Sequence, residues 1–513
     1  MKKVNPVLWL ALNHHKTHKN RHITFDQHHY AKDLYLSKNR VEILMKSTQC
    51  GVSEWALIRA IAHTGLRGLS VFYVLPTDTV KNRYVQNRVD MSVKLTPFYK
   101  ELLSVGGPDS PDSTLLKHFG RGALAFAGSN TPNPFTEFPA DDLIIDEYDR
   151  CHHAHVHMAE ERLSASDFRG RVYISQPTTE GHGIALLMEK STKSRWFIPH
   201  DCGHWVTPDF FTHVVQQEGD KSWVIVDPEY RRGGSNDIRL ICDHCHKPID
   251  RFADGEWVDA NQDSDMKGRQ ISKLFSSAVT LKEMVDNFND GLSNDSKMQR
   301  FYNGDLGLPY TAAGAKIDTN MLRACIDQNH TMGNTDPGPC VMGVDVGNVL
   351  HVRINRLLPD DRVLAVYVGS VNTEKDIAEL WRRYNVKAGV IDAMPETRMS
   401  KRLAFRLRTM FMCRYGNSLV EHIDAANKLM NVDRTSQMDA IKELVLTRRL
   451  VLPRNILSVP EYAAHMCAPT RVYDEEKGRY FWTEGSLADH FFHAELYALL
   501  ARRFLVMMSQ RRR

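Results

Sequence analysis

No apolar run in the 513 residues approaches the roughly 18 needed to cross a bilayer as a helix, so no helical membrane span and no membrane partner is expected. Excess charge of one sign is also scarce. The 66 Lys and Arg nearly balance the 62 Asp and Glu, for a net charge of +4. A histone-like cationic carpet is excluded, and contact with an acidic polymer must rely on local patches. Internal repeats and low-complexity blocks are absent. The nine cysteines are odd in number and scattered, with one close pair, Cys242 and Cys245. That excludes a disulfide framework and suggests a reducing compartment with one metal knuckle. The first residues, MKKVNPVLWLALNHHK, lack a full apolar core followed by a small-residue cleavage site, so no leader peptide is expected. What remains, 42% hydrophobic and 25% charged residues, is a globular mixture long enough for about three domains.

From residue 41 apolar runs alternate with helical patterns. VEILMK (41–46), LSVFYVLP (69–76), ALAFAG (123–128), DLIID (142–146) and RVYIS (171–175) read as strands. Helices are expected from about Glu54 and after Asp78. Buried strands separated by helices predict an α/β fold with a parallel sheet. Residues 195–265 are richer in Trp, His, Asp and Gly and read as a small insertion. Residues 325–339 carry turn formers and read as a linker. A second α/β segment starts at CVMGVDVG (340–347). HVRINRL, RVLAVYVGS, a helix near 374–384, VKAGVID (386–392) and an apolar helix near 487–507 follow it. The expected domains are therefore 1–324 and 340–513, joined by 325–339.

KSTQCGVSE (46–54) lies between a strand and a helix, where a phosphate-binding loop belongs. Gly51 and Ser53 fit the end of that pattern. The usual lysine position is Val52, and the first glycine position is Lys46. By itself this is equally a chance strand–turn–helix. LIIDEYD (143–149) is a strand ending in Asp146 and Glu147, where an aspartate holds magnesium and a glutamate polarises water. On one parallel sheet the two motifs support each other. SQPTT (175–179) ends the next strand, either as a γ-phosphate sensor or as a simple Pro-containing turn.

A lysine at the first position of the loop, with the usual one lost, resembles the deviant loop of lambda-like terminase large subunits of tailed phages. DEY after an apolar strand, S-x-P-T, and Phe301, Asn303, Leu306, Gly307, Pro309 and Tyr310 in FYNGDLGLPY are similar to that family too. The resemblance spans roughly residues 20–505. It implies that Lys46 replaces the usual loop lysine and that Ser53 and Asp146 serve magnesium. Glu147 becomes the catalytic glutamate, and Ser47, Gln49 and Gly51 line the nucleotide. Gln27 sits where such motors read adenine. Arg83 and Arg88 are arginine-finger candidates by location alone, and a solvated helix face accounts for them as well.

CDHC (242–245) can grip one zinc ion through two thiolates, and HDCGH (200–204) supplies Cys202 with His200 or His204. A Cys3His structural zinc site built with His200 is the expectation, against a ribbon that has lost its metal. The histidines of CHHAHVH (151–157) read as a polar loop.

Two-metal nucleases need converging carboxylates. Asp345 lies within a strand, Asp392 ends a later one, and Asp489 begins the last helix, an order that suits an RNase H-like fold. Each alone could be a turn or capping residue. Asp439, in RTSQMDAI (434–441), reads as a surface acid or a supporting ligand. His490 and His493 read either as supporting groups or as core residues. Oxygen ligands suit Mg²⁺ or Mn²⁺.

The resemblance therefore implies a P-loop motor ATPase with a zinc-ribbon-like insertion, followed by a metal-dependent endonuclease. It implies double-stranded DNA, a small terminase subunit and the portal protein of the procapsid as partners. It also implies a ring of large subunits, acting in the cytoplasm of the infected host and docking transiently on the procapsid. A helicase-nuclease of DNA repair is the alternative, though no further helicase motif follows SQPTT. Leu505 and Val506 are expected to pack on the second sheet, ahead of the basic end Gln510–Arg513. That end would be a solvated terminus, a procapsid-docking element or a DNA contact.

Overall fold

The computed structural model describes residues 5–510 apart from 106–111, 220–221, 313, 417–421, 475–478 and 484–487. The chain forms two compact units, Met1–Tyr310 and Thr311–Arg513.

In the first unit β1 (Val41–Lys46) leads into α1 (Val52–Arg67), which starts two residues earlier than Glu54. Then come β2 (Val71–Leu75), α2 (Asp78–Tyr84), β3 (Leu116–Phe119), β4 (Gly122–Gly128) and β5 (Asp142–Asp146). They are followed by α3 (His153–Glu161), β6 (Gly170–Ser175), α4 (Gly183–Lys190) and β7 (Lys267–Ile271). The sheet order is β7-β1-β6-β5-β2-β4-β3. All neighbours are parallel except the β3–β4 hairpin. Parallel strands with helices on both faces are buried on both sides, which is why Ile43–Met45, Val71–Leu75 and Leu143–Ile145 read as apolar runs within β1, β2 and β5. The strand ends carrying Lys46, Asp146 and Ser175 share one edge, where open α/β sheets bind ligands. The histidine-rich segment expected as a loop is α3. His153 in its first turn packs on Tyr148, and His155 stacks on Phe135, so the rings pack the helix against the turn after β5 and the short helix Pro134–Glu137.

The second unit is built on β8 (Cys340–Val346), β9 (Leu350–Leu357), β10 (Val363–Val371), α5 (Glu374–Arg383) and β11 (Val386–Asp392). It continues with α6 (Thr397–Arg406), β12 (Met410–Gly416), β13 (Leu429–Asp433), α7 (Arg434–Leu446), β14 (Leu450–Pro453) and α8 (His490–Gln510). Its sheet runs β14-β10-β9-β8-β11-β12-β13, with Ile326–Asp327 outside β14 and His422–Asp424 outside β13. β8, β9 and β10 are mutually antiparallel, whereas β11 joins β8 and β12 joins β11 in parallel. Three antiparallel strands continued by parallel ones, with a long helix across the centre, are the RNase H-like arrangement. α8 crosses β8 closely because Gly343 has no side chain. A Cβ there would sit 2.0 Å from the Ala494 carbonyl oxygen.

The segment expected as a linker is not wholly structureless. Ile326–Asp327 pairs in parallel with Leu452 and Pro453. Leu505 packs on the second core. The side chain of Val506 and residues Arg511–Arg513 lie outside the described residues.

Candidate functional site

Lys46 is the last residue of β1 and is buried. Its Nζ donates to Glu147 Oε1 at 3.2 Å, joining the first loop to a residue 101 positions away. Burial opposes the charge on Lys46, but Glu147 and Asp146 keep its pKa above the ordinary lysine value. Asp146 is buried and pushed up, first by desolvation and then by Glu147, with Lys46 opposing. Its carboxylate accepts from Tyr73 Oη at 2.9 Å, and Tyr84 Oη donates on to Tyr73 at 3.0 Å. Ser53, in the first turn of α1, is within hydrogen-bonding reach of Asp146. Glu147 sits in the left-handed region at φ 60°. For a non-glycine residue this is backbone strain of about 1 kcal/mol or more, and such strain concentrates at working sites.

Gly51 caps α1, and Ser47 Oγ meets Cys50 Sγ at 2.7 Å. Gln49 is also left-handed, at φ 60°. The backbone N–H groups of Ser47 and Thr48 donate to the carbonyls of Ile271 and Gly304, at 2.8 and 2.9 Å. The 301–310 segment is therefore the floor of the loop. Gly307 makes that approach possible, because a Cβ there would lie 2.5 Å from the Ile271 oxygen and 2.7 Å from the Ser47 nitrogen. The same segment reaches the end of β6. Asn303 Nδ2 donates to the Thr178 carbonyl at 2.8 Å, and Tyr310 N donates to it at 3.1 Å.

Val52, where a lysine is usual, is 1% exposed within the apolar core, so its side chain does not face the loop mouth. Gln27 is exposed, with φ 59°. Tyr30, three residues on, donates to the Cys50 carbonyl at 3.3 Å. Arg88 pairs with Glu54 at 3.3 Å, and Arg83 is exposed.

Sequence reasoning missed Asp149. It accepts from Thr178 N and Oγ1 at 2.9 and 2.8 Å and from Ile184 N at 2.6 Å, tying the DEYD turn to SQPTT and to the start of α4. Burial pushes it up to about 7 against those donors. Its only sequence signal is that it is the third acid of DEYD.

In the insertion, His200, Cys202, Cys242 and Cys245 bring one ligand atom each within 4.8 Å of the others. His200 Nε2 lies 3.2 Å from Cys245 Sγ, and Cys202 Sγ lies 4.0 Å from Cys242 Sγ. Tetrahedral zinc holds such ligands roughly 3.3–3.8 Å apart, so this donor set fits the ion. His204, the other histidine of the knuckle, instead stacks on His244.

In the second unit Asp345 ends the inner run of β8 and Asp392 ends the neighbouring β11. Their registers bring Val344 opposite Ile391, one residue before each. Asp392 is pushed up by burial first and then by Asp345. Asp489 accepts the start of α8: the N–H groups of Phe492 and His493 bond to its carbonyl at 2.9 and 3.1 Å. Burial pushes its carboxyl up, but His493 and Arg434 hold it below the ordinary value. His493 Nε2 is 3.2 Å from Asp489, and Tyr415 Oη is 2.6 Å from His493 Nδ1. The group that converges within 4.8 Å among the described residues is Asp345 with His351 and His490, rather than the three aspartates. Asp439 is consumed by Arg471, at 2.8 and 3.1 Å, and by Trp482 Nε1 at 2.9 Å, which makes it a structural clamp.

Residues 35–260 match the family described as phage terminase large subunit gpA, ATPase domain. That segment is similar to the ATPase domain of phage terminase large subunits. The large terminase of bacteriophage HK97 is similar over 97% of this chain and 99% of that one, at 12% identity and a TM-score of 0.55, a likeness of fold. The large terminase of a thermophilic bacteriophage covers 94% of this chain and 98% of its own, at 11% identity and a TM-score of 0.30. The large terminase nuclease of thermophilic phage G20c covers 33% and 92%, at 10% identity and a TM-score of 0.22. No curated protein matches this chain.

Proposed function

We propose that this chain is a phage terminase large subunit, an ATP-driven motor that moves double-stranded DNA into a procapsid, and that its second unit cuts that DNA. The observation that carries the motor reading is the 3.2 Å contact between Lys46 and Glu147 at one sheet edge. With nucleotide bound, the Lys46 ammonium pairs with the β- and γ-phosphates. Its release frees Glu147 to polarise water. Gln49 and Gly51 present backbone N–H groups, Ser47 lines the loop with its hydroxyl, Ser53 and Asp146 hold magnesium, and Gln27 lies on the side where the base would stack. Asp149 and the 175–179 turn carry loss of the γ-phosphate toward α4. ATP is the nucleotide that suits a displaced lysine beside a DE pair.

For the nuclease, Asp345, Asp392 and Asp489 are the carboxylates that would hold divalent cations (Mg²⁺ or Mn²⁺), which activate water and stabilise the leaving oxygen when bound. Asp345 and Asp392 are positioned by adjacent strands and Asp489 by α8. The motor is assigned to the first unit, 1–310, including the zinc-braced insertion 195–265, and the nuclease to the second; the boundary expected at 324 moves to 310 because Ile317 and Leu322 pack in the second core. DNA is held through its phosphates, without sequence readout. A small terminase subunit reads sequence, the portal receives the ring of large subunits, and the work is done in the host cytoplasm.

Crossing two variants tests the two halves. Glu147→Gln should lose ATP hydrolysis and keep plasmid cleavage, and Asp345→Asn should do the reverse. Loss of both activities in either folded variant would refute two separate centres.

A further inference from the structure

The helix α6 and the turn that follows it carry five cations, Arg398, Lys401, Arg402, Arg406 and Arg408, all exposed. The one acid between residues 394 and 408 is Glu396. Among the described residues only Arg402 of the five makes an ion pair, with Glu374 at 3.2 Å. This charge works against the helix. A cation in the first turn, as Arg398 is, opposes the helix dipole, and α6 has neither an acid there nor a side-chain cap. Like charges four positions apart, as in Arg398 with Arg402 and Arg402 with Arg406, repel. Leu403 and Ala404 on the inner face pack in the core and hold the helix, so the outward stripe is not needed for folding. Phe405 shares the outward face and is 49% exposed, and with Arg398, Lys401 and Arg402 it lines a shallow groove of about 430 Å³. Both ends of α6 are fixed. Thr397 Oγ1 donates to the Ala393 carbonyl at 2.9 Å and Met394 N to Asp392 Oδ1 at 3.0 Å, which ties its start to the end of β11. Lys428 Nζ donates to the Ala404 and Arg408 carbonyls at 2.8 and 2.5 Å and lies 5.6 Å from the Phe405 ring.

We infer that the α6 stripe is the surface on which the second unit seats duplex DNA, holding the phosphates of one strand. The inference rests on the reading of that unit as a DNA nuclease. With a net charge of only +4 the chain as a whole attracts DNA weakly, so a local patch of this density carries the attraction. From Arg398 to Arg406 a helix rises about 12 Å at 1.5 Å per residue. One strand of B-DNA sets a phosphate about every 3.4 Å along its axis, so the stripe spans about four. Guanidinium groups bind phosphate oxygens in a bidentate manner, and Phe405 offers the sugars an apolar contact between them. Such contacts carry no sequence information. The stripe therefore positions the duplex beside Asp392 and does not choose where it is cut.

The test uses the full chain and a fluorescently labelled blunt duplex. Arg398→Gln, Lys401→Gln and Arg406→Gln combined should weaken duplex binding at least about tenfold near 100 mM salt. They should also shrink the slope of log affinity against log salt by about two to three. Arg398→Lys with Arg406→Lys keeps the charge and should bind within a few-fold of the wild type. The unfolding midpoint of the glutamine variant should stay level or rise, because repulsion along α6 is relieved. If the combined variant fails to fold, Arg406→Gln alone should still lower the slope by about one. Wild-type affinity and slope in a folded glutamine variant overturn the inference. If the wild type still cuts plasmid and Asp345→Asn does not, the nuclease reading stands without it. A wild type that neither binds nor cuts duplex overturns both. Unchanged duplex binding with lost packaging into procapsids would assign the stripe to an acidic protein surface and likewise overturn the DNA seat.

Discussion

Asp142 and Asp146 open and close one strand and do opposite work. Asp142 is buried between Arg59, at 3.0 and 3.1 Å, and His63, at 2.7 Å. Burial would push its pKa up, but Arg59 and His63 hold it well below the carboxylate range. Stability from this cluster is therefore present above the unfolded value of about 4. It is lost only as pH falls through the depressed folded value. Asp142→Asn should cost about 3–5 kcal/mol in urea unfolding, because it leaves the Arg59 cation buried and unpaired. Asp146 is instead pushed up by its own burial and by Glu147, with Lys46 opposing. Lys46→Ala should abolish ATP hydrolysis, measured as phosphate release, and near-normal turnover would reject the displaced lysine. Lysine placed at Val52 should not rescue it. That position is core, so Val52→Lys should also lower the unfolding midpoint.

At the scale of elements, α4 begins at a glycine because Asp149 needs the space. Gly183 has φ +51°, and a Cβ there would meet Asp149 Oδ1 at 2.2 Å. Gly183→Ala adds left-handed strain and dislodges the bond to Ile184, together about 2 kcal/mol. ATPase turnover should fall with that loss of stability, while nucleotide binding through α1 should persist. Binding lost along with turnover would place Asp149 in the nucleotide pocket instead. In the insertion, Cys242→Ser should release zinc, about one ion per chain by elemental analysis. It should also expose 195–265 to protease. A metal-free wild type that resists protease equally would end the zinc assignment. Short strands here, such as Leu240–Ile241 and Pro248–Ile249, form a two-stranded sheet too small to hold a core by itself.

For the whole molecule, a net charge of +4 means that DNA binding depends on local patches. Affinity for plasmid-length duplex should be insensitive to sequence and should fall linearly in log–log form with salt, at a slope of roughly −0.9 per phosphate neutralised. Fluorescence anisotropy between 50 and 200 mM salt (about the physiological range) measures that slope. A flat response would remove phosphate contact as the basis of DNA holding.

The strands of both sheets were legible because parallel strands buried on both faces leave unbroken apolar runs, and the acids ending them stand out against those runs. Lys46, Asp146, Glu147, Asp345 and Asp392 could be placed for that reason, and the C-x2-C spacing of Cys242 and Cys245 marked the knuckle. β7 at the edge of its sheet and β13 next to the edge are short and mixed, and carry no comparable signal. Pairings between distant segments left none either. The choice of His200 over His204, the floor that Gly307 and Gly304 build beneath the loop, the clamp on Asp439 and the reach of Asp149 into α4 depend on backbone approaches of a few ångströms. Local sequence therefore determined which elements form and which acids end them, because periodicity and turn chemistry act within a few residues. Only the tertiary structure decided which of those groups meet, and it set His351 against Asp345, because strand register and helix packing are settled by the burial of whole faces at once.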